Sequence, residues 1–208
     1  MELEYKGGTC VVLTHKKEQI FSDPHISPLG LKDQGVQAAV HILTEARFRA
    51  PASDQTVVID GPGEYEVHNC SIWGIAATPH IMPEGVKSST VYRLDLDGTS
   101  VALIGHITKL DDSQLEALGM VDILVLPVGG FGYTLEPKQA VDLVKAIEPK
   151  IVVPIHYADP HVSYEVPQAP LEDFLKELGA VAEEPQEKLR LKGGILPDKL
   201  TVVPLIHK

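Results

Sequence analysis

One stretch constrains the fold of this chain more than any other: Val121–Tyr157, read as VDILVLPVGG, then TLEPKQAVDLVKAIEPK, then IVVPIHY. An apolar run, Ile123–Leu126, stops at Pro127 and is followed by a Gly129-Gly130 turn. An amphipathic helix is expected next, with Pro137 in its first turn, where the missing N–H is tolerated. A second apolar run, Ile151–Val153, ends in a loop that carries His156. Unbroken apolar runs are typical of strands buried on both faces. Folds with strand–helix–strand units put their chemistry just past strand ends, which makes His156 a candidate functional side chain.

The rest of the chain reads as many short strands and few helices. Glu2–Tyr5 and Thr9–Thr14 are expected as strands joined at Gly7-Gly8, with Ile20–Phe21 a third, closed by Ser22-Asp23-Pro24. Val36–Thr44 is apolar enough for a buried strand or a short helix. Val57–Ile59, Tyr65–Val67 and Ser71–Ala76 are strand candidates, and His80–Ser88 a loop. Thr90–Asp95 and Ser100–Ile104 flank Asp97-Gly98, a strong hairpin signal. Asp111–Leu118 is expected as a helix capped by Asp111 or Asp112. Residues 158–168 form a Pro-rich loop, Leu171–Leu178 a helix ended by Gly179, and Leu189–Leu191 and Leu200–Pro204 late strands. Trp73 is expected in core or interface packing, and His15, His25, His68, His161 and His207 on the surface or in loops.

With 208 residues and 44% hydrophobic content, the chain can bury one sizeable core, and one α/β domain over 1–208 is expected. The formal charge is −11, with 29 acidic residues spread along the chain, so a phosphate backbone is repelled and nucleic acid is a poor partner. Cys10 and Cys70 lie far apart with no CxxC, which suits free buried thiols in a reducing compartment. The opening MELEYKGG has no apolar signal core, and no apolar run approaches ~18 residues. A cytoplasmic protein with no membrane partner is expected, and self-association is left open.

Several segments, taken in order, resemble the metallo-β-lactamase superfamily, in its small bacterial branch of zinc-dependent hydrolases related to the ascorbate-phosphate lactonases. YKGGTCVVL followed by IFSDP resembles the opening hairpin and its "DP" strand end. VVIDGPGEYEVHNCSIWGI resembles a "GPGEYEV…GI" segment, and TVYRLDLDGTSVALIGH the hairpin that leads to "GD". The Val121–Tyr157 stretch is similar to the branch's longest pattern. The resemblance covers roughly residues 1–157 and implies an αββα sandwich, two facing mixed sheets with helices on the outer faces. It also implies one or two metal ions at the sheet edge, where zinc takes imidazole and carboxylate ligands and acidifies its water towards a pKa of ~7.

The ligand signature H-x-H-x-D-H, which follows "ILT" in active relatives, is broken. Aligned on Ile42-Leu43-Thr44, its positions hold Glu45, Arg47, Arg49 and Ala50. Anchored on His41 instead, only that one histidine is rescued. Guanidiniums repel a divalent cation and cannot ligate it. The resemblance places the family's remaining ligands at His80, His106 (where relatives have the "GD" aspartate) and His156. These three imidazoles would hold at most one zinc-like ion. Asp23, at the "DP" position, would orient the site or accept a proton. Glu45, Arg47 and Arg49 would either pair as salt bridges in place of the metal or bind a small anionic ligand. The expectation is a non-catalytic member that binds a ligand or partner in the emptied cleft. The alternative is a metal-dependent hydrolase of a small ester, lactone or phosphoester with a reduced His80/His106/His156 site.

Overall fold

The computed structural model describes residues 1–81, 88–191 and 194–207. In chain order the strands begin with β1 (Glu2–Gly7), β2 (Cys10–His15), β3 (Glu18–Ser22), β4 (Val40–Ile42) and β5 (Val57–Ile59). Next come β6 (Gly63–Val67), β7 (Cys70–Ala77), β8 (Ser89–Leu96) and β9 (Thr99–Leu103). Helix α1 (Asp112–Leu118), β10 (Ile123–Pro127), α2 (Pro137–Ile147), β11 (Ile151–Ile155), α3 (Leu171–Leu178), β12 (Leu189–Arg190) and β13 (Thr201–Val202) complete the chain. They build two mixed sheets, ordered β12-β1-β2-β3-β4-β5 and β13-β11-β10-β9-β8-β7-β6.

The alternation of β1 shows how the sheets meet. Leu3 and Tyr5 point inward while Glu2, Glu4 and Lys6 stay at the surface. The inward set joins Tyr92, Leu94 and Leu96 of β8 in one apolar core between the sheets. Strands β10 and β11 are buried throughout because both of their faces are covered. Ile123, Val125, Ile151 and Val153 enter the inter-sheet core. Leu124, Leu126 and Val152 point the other way, onto Ala140, Val141 and Val144 of α2 and Phe174 of α3. That two-sided burial explains the unbroken apolar runs. Strand β11 lies inside its sheet, between β10 and β13, but β13 pairs only with Ile151 and Val152. Pro154 therefore sits past that pairing, where a missing N–H is tolerated.

The sandwich has helices on one outer face only, among the described residues. Residues of α1, α2 and α3 all belong to the layer on the second sheet. On the first sheet, Cys10, Val12 and Phe21 are covered by Ile26 and Ala38 from a loop with one 3-10 turn, Ser27–Leu29. Pro24, Pro28, Gly30 and Gly35 keep that segment from becoming a regular helix.

Local expectations fare unevenly. The Asp97-Gly98 turn forms with both residues left-handed (φ 49° and 80°). Asp111 is the cap of α1, accepting from Gln114 N at 2.9 Å while Gln114 Oε1 accepts from Asp111 N at 2.8 Å. Val36–Thr44 resolves into the short strand β4, and the late strands shrink to two residues each. Trp73 is only half-buried, under the Arg93 guanidinium at 5.2 Å, rather than in the core. His15 is buried, paired with Asp97 at 3.2 Å, rather than at the surface. Cys10 and Cys70 are buried free thiols. Most of the expected His80–Ser88 loop lies outside the described residues. No described helix is long and apolar enough to cross a membrane.

Candidate active site

Five strands end at one rim of the sandwich, and the site is assembled from the residues just beyond them. Asp23 follows β3, Thr44 and Glu45 follow β4, and His106 follows β9. Gly129 follows β10, and His156 follows β11. Asp23 and His156 both take left-handed backbone (φ 42° and 51°), which turns their side chains off the strand direction. Such geometry costs about 1 kcal/mol or more in a non-glycine residue and persists only where surroundings hold it. At His156 the surroundings include Tyr5, whose Oη accepts from His156 N at 3.2 Å.

Asp23 is fully buried and anchors the β4 end: Oδ1 accepts from Thr44 N and Oδ2 from Thr44 Oγ1, each at 2.7 Å. Burial pushes its carboxyl up to about 7, against the opposing hydrogen bonds from Thr44. Thr44 then ties the sheets together, its carbonyl accepting from Thr90 N at 2.8 Å and from Ser89 Oγ at 3.2 Å. Gly105 makes room for this contact, since a Cβ there would come within 2.6 Å of Thr44.

Glu45 and Arg47 form a partly buried ion pair. Arg47 Nε donates to Glu45 Oε2 at 2.7 Å, and Nη1 to Tyr133 Oη at 3.0 Å. Tyr133 Oη in turn donates to Glu165 Oε2 at 3.1 Å. Burial raises the Glu45 carboxyl, with the Arg47 charge opposing. Three buried atoms near this pair have no hydrogen-bond partner among the described residues: Glu45 Oε1, Arg47 Nη2 and His106 Nδ1. Glu45 Oε1 and His106 Nδ1 stand 3.9 Å apart.

His106 and His156 meet through their Nε2 atoms at 3.1 Å, and His156 Nδ1 lies 3.1 Å from Gln168 Oε1. Burial drives His106 well below the ordinary imidazole range, helped by His156 and Arg47, and takes His156 down to about 4. Both rings are therefore neutral at pH 7. A cavity of about 160 Å³ opens onto Asp23, Arg47, Phe48, Tyr133, His106 and His156. It suits a small molecule or one end of a larger one.

The structure thus brings together Asp23, Arg47, His106 and His156 around one cavity, with Glu45 just behind. Arg49 is not among them: its guanidinium turns outward to Asp60. His80 donates its backbone N–H to the His106 carbonyl at 3.0 Å, and its buried Nε2 has no partner among the described residues, but it does not line the cavity. The His80/His106/His156 trio does not close around one point. His156 spends both ring nitrogens on hydrogen bonds, and no three His, Cys, Asp or Glu side chains among the described residues are gathered as a ready ion site.

The donor set for an ion of the kind the superfamily uses is incomplete here: two donors face each other, and no third His, Cys, Asp or Glu among the described residues is gathered with them. Glu45 Oε1 and His106 Nδ1, 3.9 Å apart, and His80 Nε2 are each buried without a hydrogen-bond partner among the described residues. Arg47, Arg49 and Ala50 offer nothing to a second ion.

The glycine after β10 has a direct role here. A Cβ on Gly129 would overlap the His156 carbonyl and Gln168 Oε1. Gly129→Ala is expected to destabilise the fold by about 2 kcal/mol, the scale of overpacking a tight site. It should also shift the His156 ring signals in an NMR spectrum. Wild-type stability together with an unchanged spectrum would count against this close approach.

A family profile described as "Beta-lactamase superfamily domain" matches residues 2–156. The chain belongs to the metallo-β-lactamase superfamily. Its fold is that of a Thermotoga maritima protein of the same superfamily, with a TM-score of 0.80 at 26% identity, covering 99% of this chain and 98% of that one. A Natranaerobius thermophilus protein named UPF0173 metal-dependent hydrolase is 26% identical over 186 residues, 76% of this chain and 83% of that protein. A protein of Thermococcus onnurineus with the same name is 34% identical over 94 residues, 44% of this chain. That match spans only 40% of the relative, less than half its length.

Sequence reasoning missed Thr44 and Gln168. Thr44 stood inside the quoted motif, and its pairing with a buried aspartate could have been suspected. Gln168 sits in the Pro-rich loop, where no periodicity marks a residue as inward-facing.

Proposed function

We propose that the chain hydrolyses a small anionic ester, lactone or phosphoester in the 160 Å³ cavity, with at most one divalent ion. The observation that carries this reading is the pair of bare buried acceptors, Glu45 Oε1 and His106 Nδ1, at 3.9 Å. The names of the relatives, metal-dependent hydrolases, support it. Glu45 and His106 would contribute to holding the ion, which would polarise the scissile carbonyl or phosphoryl oxygen and acidify water. The side chains do the rest. Arg47 Nη2, free of partners beside the cavity, binds the anionic group of the substrate. Tyr133 and Glu165 keep the guanidinium aimed. Neutral His106 and His156 line the floor and add no positive charge of their own beside the ion.

A second reading, non-catalytic binding of the same anions, is favoured by one feature. Arg47 is fixed on Glu45 at 2.7 Å, so part of the ion-holding carboxylate is already used. Metal content per chain, and turnover of a panel of esters, lactones and phosphoesters with and without chelator, separates the two. About one ion per chain, lost in Glu45→Gln together with chelator-sensitive turnover, is the expected result. Tight anion binding that depends on Arg47, with neither ion nor turnover, would replace it with the second reading.

A further inference from the structure

Gln168 ends the loop that follows β11, and its amide can be oriented without ambiguity. Nε2 donates to the Val166 carbonyl at 3.0 Å, so the atom facing His156 Nδ1 at 3.1 Å is Oε1. A carbonyl oxygen only accepts, so Nδ1 of His156 carries the proton. A neutral His156 then has a bare Nε2. That nitrogen faces His106 Nε2 at 3.1 Å, which must be the donor of the pair. A neutral His106 is left with a bare Nδ1, the atom that stands 3.9 Å from Glu45 Oε1.

We propose that Gln168 is a positioning residue: through one chain of hydrogen bonds it sets the proton order of His156 and His106 and turns a bare nitrogen towards Glu45. Two further observations agree with this role. Gly129 carries no side chain at the spot where Gln168 Oε1 and the His156 carbonyl converge. His106 Nδ1 and Glu45 Oε1 are both buried without partners, as expected of two acceptors that face each other. Without the Gln168 acceptor, His156 would carry its proton on Nε2 and donate it to His106. His106 would then hold its own proton on Nδ1, pointing a donor at Glu45 and closing the gap where a cation would sit. The use of this order in turnover rests on the hydrolase reading above, but the order itself does not.

The test is the tautomeric state of the two rings, read by long-range ¹H–¹⁵N correlation in ¹⁵N-histidine protein at about pH 7. Wild type should show His156 protonated on Nδ1 and His106 on Nε2. Gln168→Leu should invert both, and Gln168→Glu, which keeps an acceptor, should retain the wild-type pattern. Zinc affinity should fall 10- to 100-fold in Gln168→Leu, the usual scale for losing a residue that orients a ligand. A wild-type His156 protonated on Nε2, or a Gln168→Leu spectrum with both rings unchanged, overturns the proposal. If Gln168→Leu does not fold, the wild-type and Gln168→Glu spectra decide it. Wild-type protein that binds no zinc, yet shows the expected tautomers, speaks against the one-ion reading and leaves the positioning role standing.

Discussion

Glu45→Ala is expected to lower stability by about 3 kcal/mol, the scale for removing one partner of a buried ion pair. The Glu45 side chain is fully buried and Arg47 about one quarter exposed, so the guanidinium keeps some water and the low end of the range applies. The loss arises less from the missing attraction than from leaving Arg47 charged beside His106 and Tyr133 without its counter-ion. Replacing both residues, as Glu45→Leu with Arg47→Met, should recover most of the loss, because no buried charge is then stranded. Urea unfolding of the three variants measures this. A Glu45→Ala protein within about 0.5 kcal/mol of wild type would show the pair to be an ordinary surface contact.

Asp23→Asn should change how stability depends on pH. The folded-state pKa of Asp23 is raised from 3.8 to about 7 by burial. Below 3.8 the residue is protonated in both folded and unfolded chains. As pH rises, the unfolded chain ionises first, so the folded chain binds more protons and loses stability until about pH 7. The slope approaches 1.4 kcal/mol per pH unit, and the accumulated loss is on the order of 4 kcal/mol. His156, lowered to about 4, has the opposite sign, gaining stability between 4 and 6.5, and partly masks the effect in wild type. Asparagine keeps the acceptor for Thr44 N and tolerates the left-handed backbone. The variant should be close to wild type near pH 4 and clearly more stable at pH 8. A stability difference that stays flat from pH 4 to 8 would mean that Asp23 is ionised throughout.

The two buried strands, the hairpin at Asp97-Gly98 and the capped helix at Asp111 could be read from the chain because each rests on local chemistry. Apolar runs, left-handed turn residues and a cap carry their signals within a few positions. His106 and His156 could be read because strand ends gather functional side chains, and the resemblance said which ends. Arg49 was misplaced by the same alignment. Two residues beyond Arg47 the chain has already left the rim, and its guanidinium finds Asp60. Gln168 could not be read, because its role appears only when a loop closes onto His156 from a separate part of the chain. The helix-free outer face of the first sheet was equally hidden, since loops and helices cover apolar residues such as Val12 and Phe21 equally well.

The sheet edges bear on how the molecule meets its own copies. Strands β12 and β13 have two residues each and β5 has three, so among the described residues β6 is the only edge strand of five residues. An unpaired rim of that length can template the addition of another chain. An antiparallel copy centred on Tyr65 would set Glu64 of each molecule against Glu66 of the other, both exposed on the strand. Like charges directly opposed across a ladder weaken it. The longest described edge thus carries, in its own glutamates, charges that oppose pairing with a second copy.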